Sequence, residues 1–218
     1  KTNFTFFADK TDILIKNIFG ELDKIKIKNG DLKLELSPEI LLESNFLTHL
    51  KYQDKSLVKY LNFVKNYKFV KDITHLEAIV KNNLSINFDK TYKIKNYNFA
   101  SNGNILKANF KFKKPITNNL LQEEISELNL IDSEIKTNFS SKNNNLEILG
   151  KYSLNDDDFL SFNFKNDIKS NLLNLEMDIE YSKNIDLGII NYQKPKDLIA
   201  NLSIKVNFLN FGFKKLYI

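Results

Sequence analysis

Cysteine is absent from this 218-residue chain, which excludes a disulfide framework and any thiolate metal site. Arginine and tryptophan are absent too, so apart from two histidines every cationic side chain is a lysine. Proline (3) and glycine (6) are scarce. Phosphate-cradling glycine loops therefore have almost no material, and no G-x-S-x-G, G-x-G-x-x-G or P-loop pattern occurs. No stretch approaches the ~18–20 uninterrupted apolar residues of a spanning helix. The opening Lys1-Thr2-Asn3-Phe4 carries neither an initiator Met nor a signal-peptide pattern. The expectation is one β-rich domain over 1–218, with a sub-boundary near 115–127, taken from a longer chain whose anchor or targeting segment lies outside it.

What is present is apolar and aromatic. Hydrophobic residues make up 42%, with 18 Phe and 9 Tyr, too much for a disordered tail. Asparagine is abundant, 31 residues, many where the apolar pattern breaks. Its side chain tolerates left-handed backbone and bonds its own chain, so it can replace glycine in turns. The net charge of +5 comes wholly from residues 1–100, with 17 Lys against 12 acids; residues 101–218 hold 15 of each. Lys, Asn, Ile and Phe are inflated together, as an AT-rich genome produces, which weakens any functional reading of the basic balance.

Period-two alternation dominates, the mark of strands with one buried face. Ile25 and Ile27, then Asn29-Gly30, then Leu32, Leu34 and Leu36 read as two strands joined by a tight hairpin. Residues 41–52 form a strand; Leu76, Ala78, Val80 and Leu84, Ile86, Phe88 predict two more. Tyr92 and Ile94 precede a turn around Asn102-Gly103-Asn104, after which Phe110 and Phe112 resume the pattern. Further strands follow to the end, the longest clean alternation being Leu173, Leu175, Met177, Ile179, Tyr181. Helical spacing of Leu57, Tyr60, Leu61, Val64 and Tyr67 after Ser56 predicts a helix over 56–67, and 118–127 is a second, weaker helical candidate. The fold class is mainly β: a long antiparallel sheet, twisted or curled, of amphipathic strands with one or two short helices. So few helices cannot cover a dozen strands, so the sheet either closes as a sandwich or barrel or curls into a groove.

Catalytic signals are missing. His49 and His75 stand alone in predicted strands, without a Cys or second His at ligand spacing. Asp156-Asp157-Asp158 lacks the Gly and Glu spacing of a calcium loop and reads as a solvated turn. The expectation is no enzyme, no cofactor and no metal. Residues 90–114 hold seven lysines, no acid, and interleaved aromatics. Because Lys111 and Lys113 alternate with Phe110 and Phe112, and Lys93 and Lys95 with Tyr92 and Ile94, cations and rings point to opposite faces. A base-stacking platform needs them on one face, so nucleic acid is the less favoured partner. The lysine face suits plain solvation or weak attraction to anionic headgroups through Lys93, Lys95, Lys111 and Lys113.

The run NNLSINFDKTYKIKNYNFASNGNILKANFKF, within the segment from Phe69 to Phe112, together with DLKLELS, LNLEMDIEYS and ANLSIKVNF, resembles the repeated amphipathic strands of AsmA-like, DUF3971 (YhdP-type) bacterial envelope proteins. The resemblance covers most of the chain in texture and rests on strand patterning. It implies a periplasmic β-groove, anchored at the inner membrane by another segment, that shields phospholipid acyl chains and takes part in phospholipid transport and outer-membrane lipid homeostasis. The lipid-facing set is then Leu32, Leu34, Leu36, Leu173, Leu175, Met177, Ile179, Leu202, Ile204 and Val206. The same residues are plain core in a closed sandwich serving as an interaction or structural domain, and alternation does not separate the two.

Overall fold

The alternating residues, Leu36 and Tyr92 excepted, enter strands in the computed structural model, which describes residues 2–22, 25–36, 38–52, 72–117, 123–169, 172–188, 191–196, 198–209 and 212–217. These residues contain no α-helix. The strands are β1 (Thr2–Ala8), β2 (Asp12–Leu22), β3 (Ile25–Glu35), β4 (Ile40–Tyr52), β5 (Ile73–Phe88), β6 (Ile94–Ile116) and β7 (Ile125–Ser140). They continue with β8 (Asn143–Leu154), β9 (Leu160–Lys169), β10 (Leu172–Tyr181), β11 (Ile185–Leu187), β12 (Tyr192–Lys194), β13 (Ala200–Leu209) and β14 (Gly212–Tyr217). Twelve join one antiparallel sheet in the order β1 to β10, then β13 and β14, while β11 and β12 pair by themselves. The sheet is an open meander whose strands pack chiefly on their ladder neighbours. Among the described residues it closes into neither a barrel nor a sandwich.

An antiparallel meander needs only tight turns, and here acidic and amide side chains build them. Asp9 Oδ1 accepts the amides of Thr11 and Asp12 at 2.7 and 2.9 Å and the Thr11 hydroxyl at 2.8 Å. Asp89 repeats the device with the Thr91 amide and hydroxyl, each at 2.7 Å, and the Lys93 amide at 3.0 Å. Asn155 and Asp156, at φ 51° and 62°, turn β8 into β9. Four Asn and two Asp hold positive φ among the described residues, with Tyr92, and no glycine does. Asparagine thus supplies the left-handed backbone that glycine usually provides.

Several expected breaks are interior to strands. Asn29, at φ 51°, is not a hairpin turn but a bulge within β3, whose pairing with β4 shifts between Lys28 and Asp31. An inserted residue flips the alternation from odd to even numbers inside one continuous strand, the same phase change a two-residue hairpin produces. Asn102-Gly103-Asn104 is likewise mid-strand in β6, paired with β5 and β7 throughout. The two expected strands at 76–88 are one, β5, with Asn82 keeping step between Val80 and Leu84. In the 118–127 candidate the described residues are not helical, since Ile125, Ser126 and Glu127 begin β7; pairing with β6 and β8 prevails over the Glu-rich start. The 56–67 candidate lies outside the described residues.

Bulges recur near mid-strand in β2, β3, β6 and β7, with positive φ at Asn17, Asn29 and Asp132. Each bends its strand and steepens the local twist, which curls the sheet. Ala78, Ile105, Ala108, Leu130, Tyr152 and Phe162 form the buried cluster on one face of β5–β9. Ala108, on β6, is only 1% exposed.

Candidate functional site

The site is that apolar face, because the pleat and the register gather the alternating residues there. One row crosses the ladders from Ile27 through Thr48, Val80, Gly103, Ile135, Ile148, Phe164 and Met177 to Ile204. A parallel row holds Tyr52, Leu76, Ala108, Leu130, Tyr152 and Leu160. At ~4.8 Å per strand the twelve strands give a face about 50 Å long.

Of the expected apolar set, Leu175, Met177 and Ile179 on β10 stand directly opposite Val206, Ile204 and Leu202 on β13, and Leu173 opposes Phe208. All are half-buried. Leu32 and Leu34, half-buried on β3, share the face but lie seven ladders away, about 35 Å at the usual strand spacing. Leu36 follows β3 and its amide donates to the Thr11 carbonyl at 2.8 Å. The residues joining these two groups, among them Leu50, Val80, Leu128, Ile135, Ile148 and Phe164, were outside the expected set. Their alternation is the same as that of β10 and was a sufficient signal.

The face also carries a polar row that alternation alone does not reveal. Asn82, Ser101, Thr137, Leu146, Asn166 and Leu175 follow one another across β5 to β10. Asn82 Nδ2 donates to Thr48 Oγ1 at 2.8 Å, and Ser101 Oγ donates to Asn82 Oδ1 at 2.5 Å. Farther along, Thr137 Oγ1 and Asn166 Oδ1 are buried without a protein partner.

The β11–β12 hairpin brings Lys194 to Tyr181, at the end of β10. Lys194, 4% exposed, donates from Nζ to the Lys183 and Pro195 carbonyls at 2.7 and 3.0 Å, and Nζ lies 5.9 Å from the centre of the Tyr181 ring. Lys183 in turn pairs with Glu123 at 2.8 Å and with Asp157. Burial pulls the Lys183 ammonium down, but its bonds to Asp157 and Glu123 outweigh that and hold it above 10.5. Tyr152 stacks edge-on against Phe162 at 6.0 Å and its hydroxyl donates to the Glu180 carbonyl at 2.6 Å. Burial first, then Tyr181 and Glu180, push that phenol up to about 12. Both shifts carry the Lys183 ammonium and the Tyr152 phenol away from neutrality.

The four lysines considered for headgroup contact do not form one patch. Lys93 precedes β6 and Lys95 is its second residue, whereas Lys111 and Lys113 lie sixteen to twenty residues further along, about 55–65 Å at ~3.3 Å per residue. Lys111 is already paired with Glu127 at 2.8 Å. Phe110 and Phe112 are half-buried while Lys111 and Lys113 are exposed, so rings and cations do occupy opposite faces. On the polar face Lys136, Glu147, Lys165, Glu176 and Lys205 alternate in sign across β7, β8, β9, β10 and β13. Glu147 pairs with Lys165 at 3.1 Å and Glu176 with Lys205 at 3.3 Å. A depression of about 770 Å³ lies on this ladder, lined by Lys136, Glu147, Lys165, Asp167 and Asn174 among others. Its charges neutralise one another, which leaves little field to gather a charged ligand.

His49 and His75 fall on β4 and β5, on the polar face. Among the described residues no three His, Asp or Glu side chains stand close enough to hold a metal ion, and no helix is long and apolar enough to cross a membrane. No family model, no curated protein and no solved structure matches this chain.

Proposed function

We propose that this chain binds the acyl chains of phospholipid along its apolar face and takes part in moving phospholipid through a bacterial periplasm. One observation carries the reading: a sheet of twelve strands presents an apolar face, buried at its centre on β5–β9 and half-buried along β3, β10 and β13, with no second large sheet among the described residues to pair with it. An ordinary soluble domain rarely leaves a contiguous apolar patch beyond about 300–600 Å². The occupant is therefore apolar and slender enough to lie along ladders that offer few polar anchors, as an acyl chain is. Headgroups stay outside, where exposed Lys93, Lys95 and Lys113 provide weak attraction at the two ends of β6. The AsmA-like resemblance of the strands supports the same assignment and suggests the compartment.

The test is native mass spectrometry of the chain purified from a Gram-negative host, with lipid extraction of the same sample. Co-purified phospholipid is expected in the wild type. It should be lost in the Leu175→Asp, Ile204→Asp double variant, whose far-UV circular dichroism stays that of a β-sheet. A folded wild-type chain that carries no lipid and takes none from phospholipid vesicles refutes the proposal.

A further inference from the structure

The polar face carries, beside its row of alternating charges, a row of amides. Asn138, Asn145, Asp167, Asn174 and Asn207 stand directly opposite one another across β7, β8, β9, β10 and β13. Asn138 and Asn145 are exposed and the other three are half-buried. All five line the depression of about 770 Å³, a volume usual for ligand sites. The charges around them are already taken. Lys165 pairs with Glu147 at 3.1 Å, Lys169 with Asp167 at 2.9 Å, Lys136 with Glu134 at 3.8 Å and Glu176 with Lys205 at 3.3 Å. The amides are not: the four asparagine side chains of the row hold no bond to another described residue. Each offers a carbonyl acceptor beside two N–H donors, repeated at the ~4.8 Å strand spacing.

From this we infer that the depression binds an uncharged, extended glycan, laid across the strands with its hydroxyls on the row of amides. A sugar hydroxyl both donates and accepts, so one amide serves it in both senses. A ring of an extended β-1,4-linked glycan is about as long as one strand spacing, ~4.8 Å, and successive rings therefore keep step with successive members of the row. A peptide rises ~3.3 Å per residue and loses that step. An anionic ligand needs free cations, and each described lysine of the lining is paired. Nucleic acid needs rings to stack on, and no described aromatic side chain lines the depression. Asn174 alternates with Leu173 and Leu175, so the amides lie on the face opposite the apolar set. Glycan binding there neither requires nor tests acyl-chain binding.

Isothermal titration of the chain with cellohexaose, a neutral β-1,4-linked glucan, tests this. The wild type should bind it with a dissociation constant below about 1 mM. Cellobiose, which reaches only two members of the row, should bind at least roughly tenfold more weakly. The Asn145→Ala, Asn174→Ala variant, with the far-UV circular dichroism of the wild type, should also lose at least roughly tenfold, two amides fewer being on offer. Raising the salt from ~0.05 to ~0.5 M should change the affinity by less than about twofold, because an uncharged ligand is not screened. A folded wild type that does not bind cellohexaose, equal affinity for cellobiose, or binding untouched by the two alanines overturns the inference. Affinity that falls steeply with salt overturns it too, in favour of an anionic ligand.

Discussion

Changing Gly103 to alanine should cost this protein much of its stability, although nothing about the residue looks structural in the sequence. Gly103 sits mid-strand in β6, opposite Val80 on one side and Ile135 on the other. A Cβ there would come within 2.1 Å of the Ile79 carbonyl oxygen, 2.7 Å of Val80 Cα and 3.0 Å of the Ile79 carbonyl carbon. All three are backbone atoms of β5, so no side chain can swing aside; relief requires a shift of over an ångström between two central strands. Overpacking a core typically costs ~1–3 kcal/mol, and a backbone obstacle puts this case at the top, about 3 kcal/mol. For a chain of this size that lowers the melting temperature by roughly 6–12 °C. Urea denaturation followed by circular dichroism reads it as a lower midpoint at unchanged slope. Gly188→Ala is the control, because its Cβ would meet only Asp186 Oδ1, at 3.8 Å, and it should change stability by less than about 1 kcal/mol. If Gly103→Ala unfolds at the wild-type midpoint, the close approach of β5 to β6 is wrong and 102–104 is a turn after all.

Three further outcomes follow from the same geometry. Lys183→Met leaves Glu123 and Asp157 facing each other without their cation; as both are about a third exposed, the loss should be about 2 kcal/mol rather than the ~3–5 of a fully buried pair, read by thermal unfolding. Asn166→Leu removes a buried, unpartnered amide oxygen and should stabilise by about 1 kcal/mol, whereas Asn82→Leu breaks the bonds to Thr48 and Ser101 and should destabilise by at least as much in the same urea assay. The Asp9 and Asp89 carboxylates are held below their ordinary 3.8, Asp9 chiefly by the Thr11 amide and Asp89 by the Thr91 hydroxyl. Their contribution is complete above pH ~4 and lost as pH falls through the lower folded values, so the protection of amides at the β1–β2 and β5–β6 turns, taken relative to their intrinsic exchange rates, should fall below pH ~4, and Asp9→Asn should abolish that dependence at the first turn only.

The amino-acid sequence by itself determined which residues share a face. Side chains alternate across a strand whatever it pairs with, so Leu173, Leu175, Met177 and Ile179 had to lie together, and Lys111 had to point away from Phe110. It also determined that asparagine carries the left-handed positions, since a chain with six glycines has little else for them. It did not determine where strands end. A left-handed Asn before Gly serves a hairpin or a bulge equally well, and only the ladder running past Asn29 on both sides made it a bulge. Gly103 read as a turn for the same reason, because the backbone that crowds it belongs to residues more than twenty positions earlier. Tertiary structure alone decided that the sheet stays open among the described residues, that Lys95 and Lys113 sit toward opposite ends of one strand, and that Asn82, Ser101, Thr137 and Asn166 fall into a single row. The salt bridges of Lys183 to Asp157 and Glu123 were illegible for the same physical reason. Alternation assigns a residue to a face, whereas its neighbours along that face depend on strand order and register, which arise from pairing between distant segments.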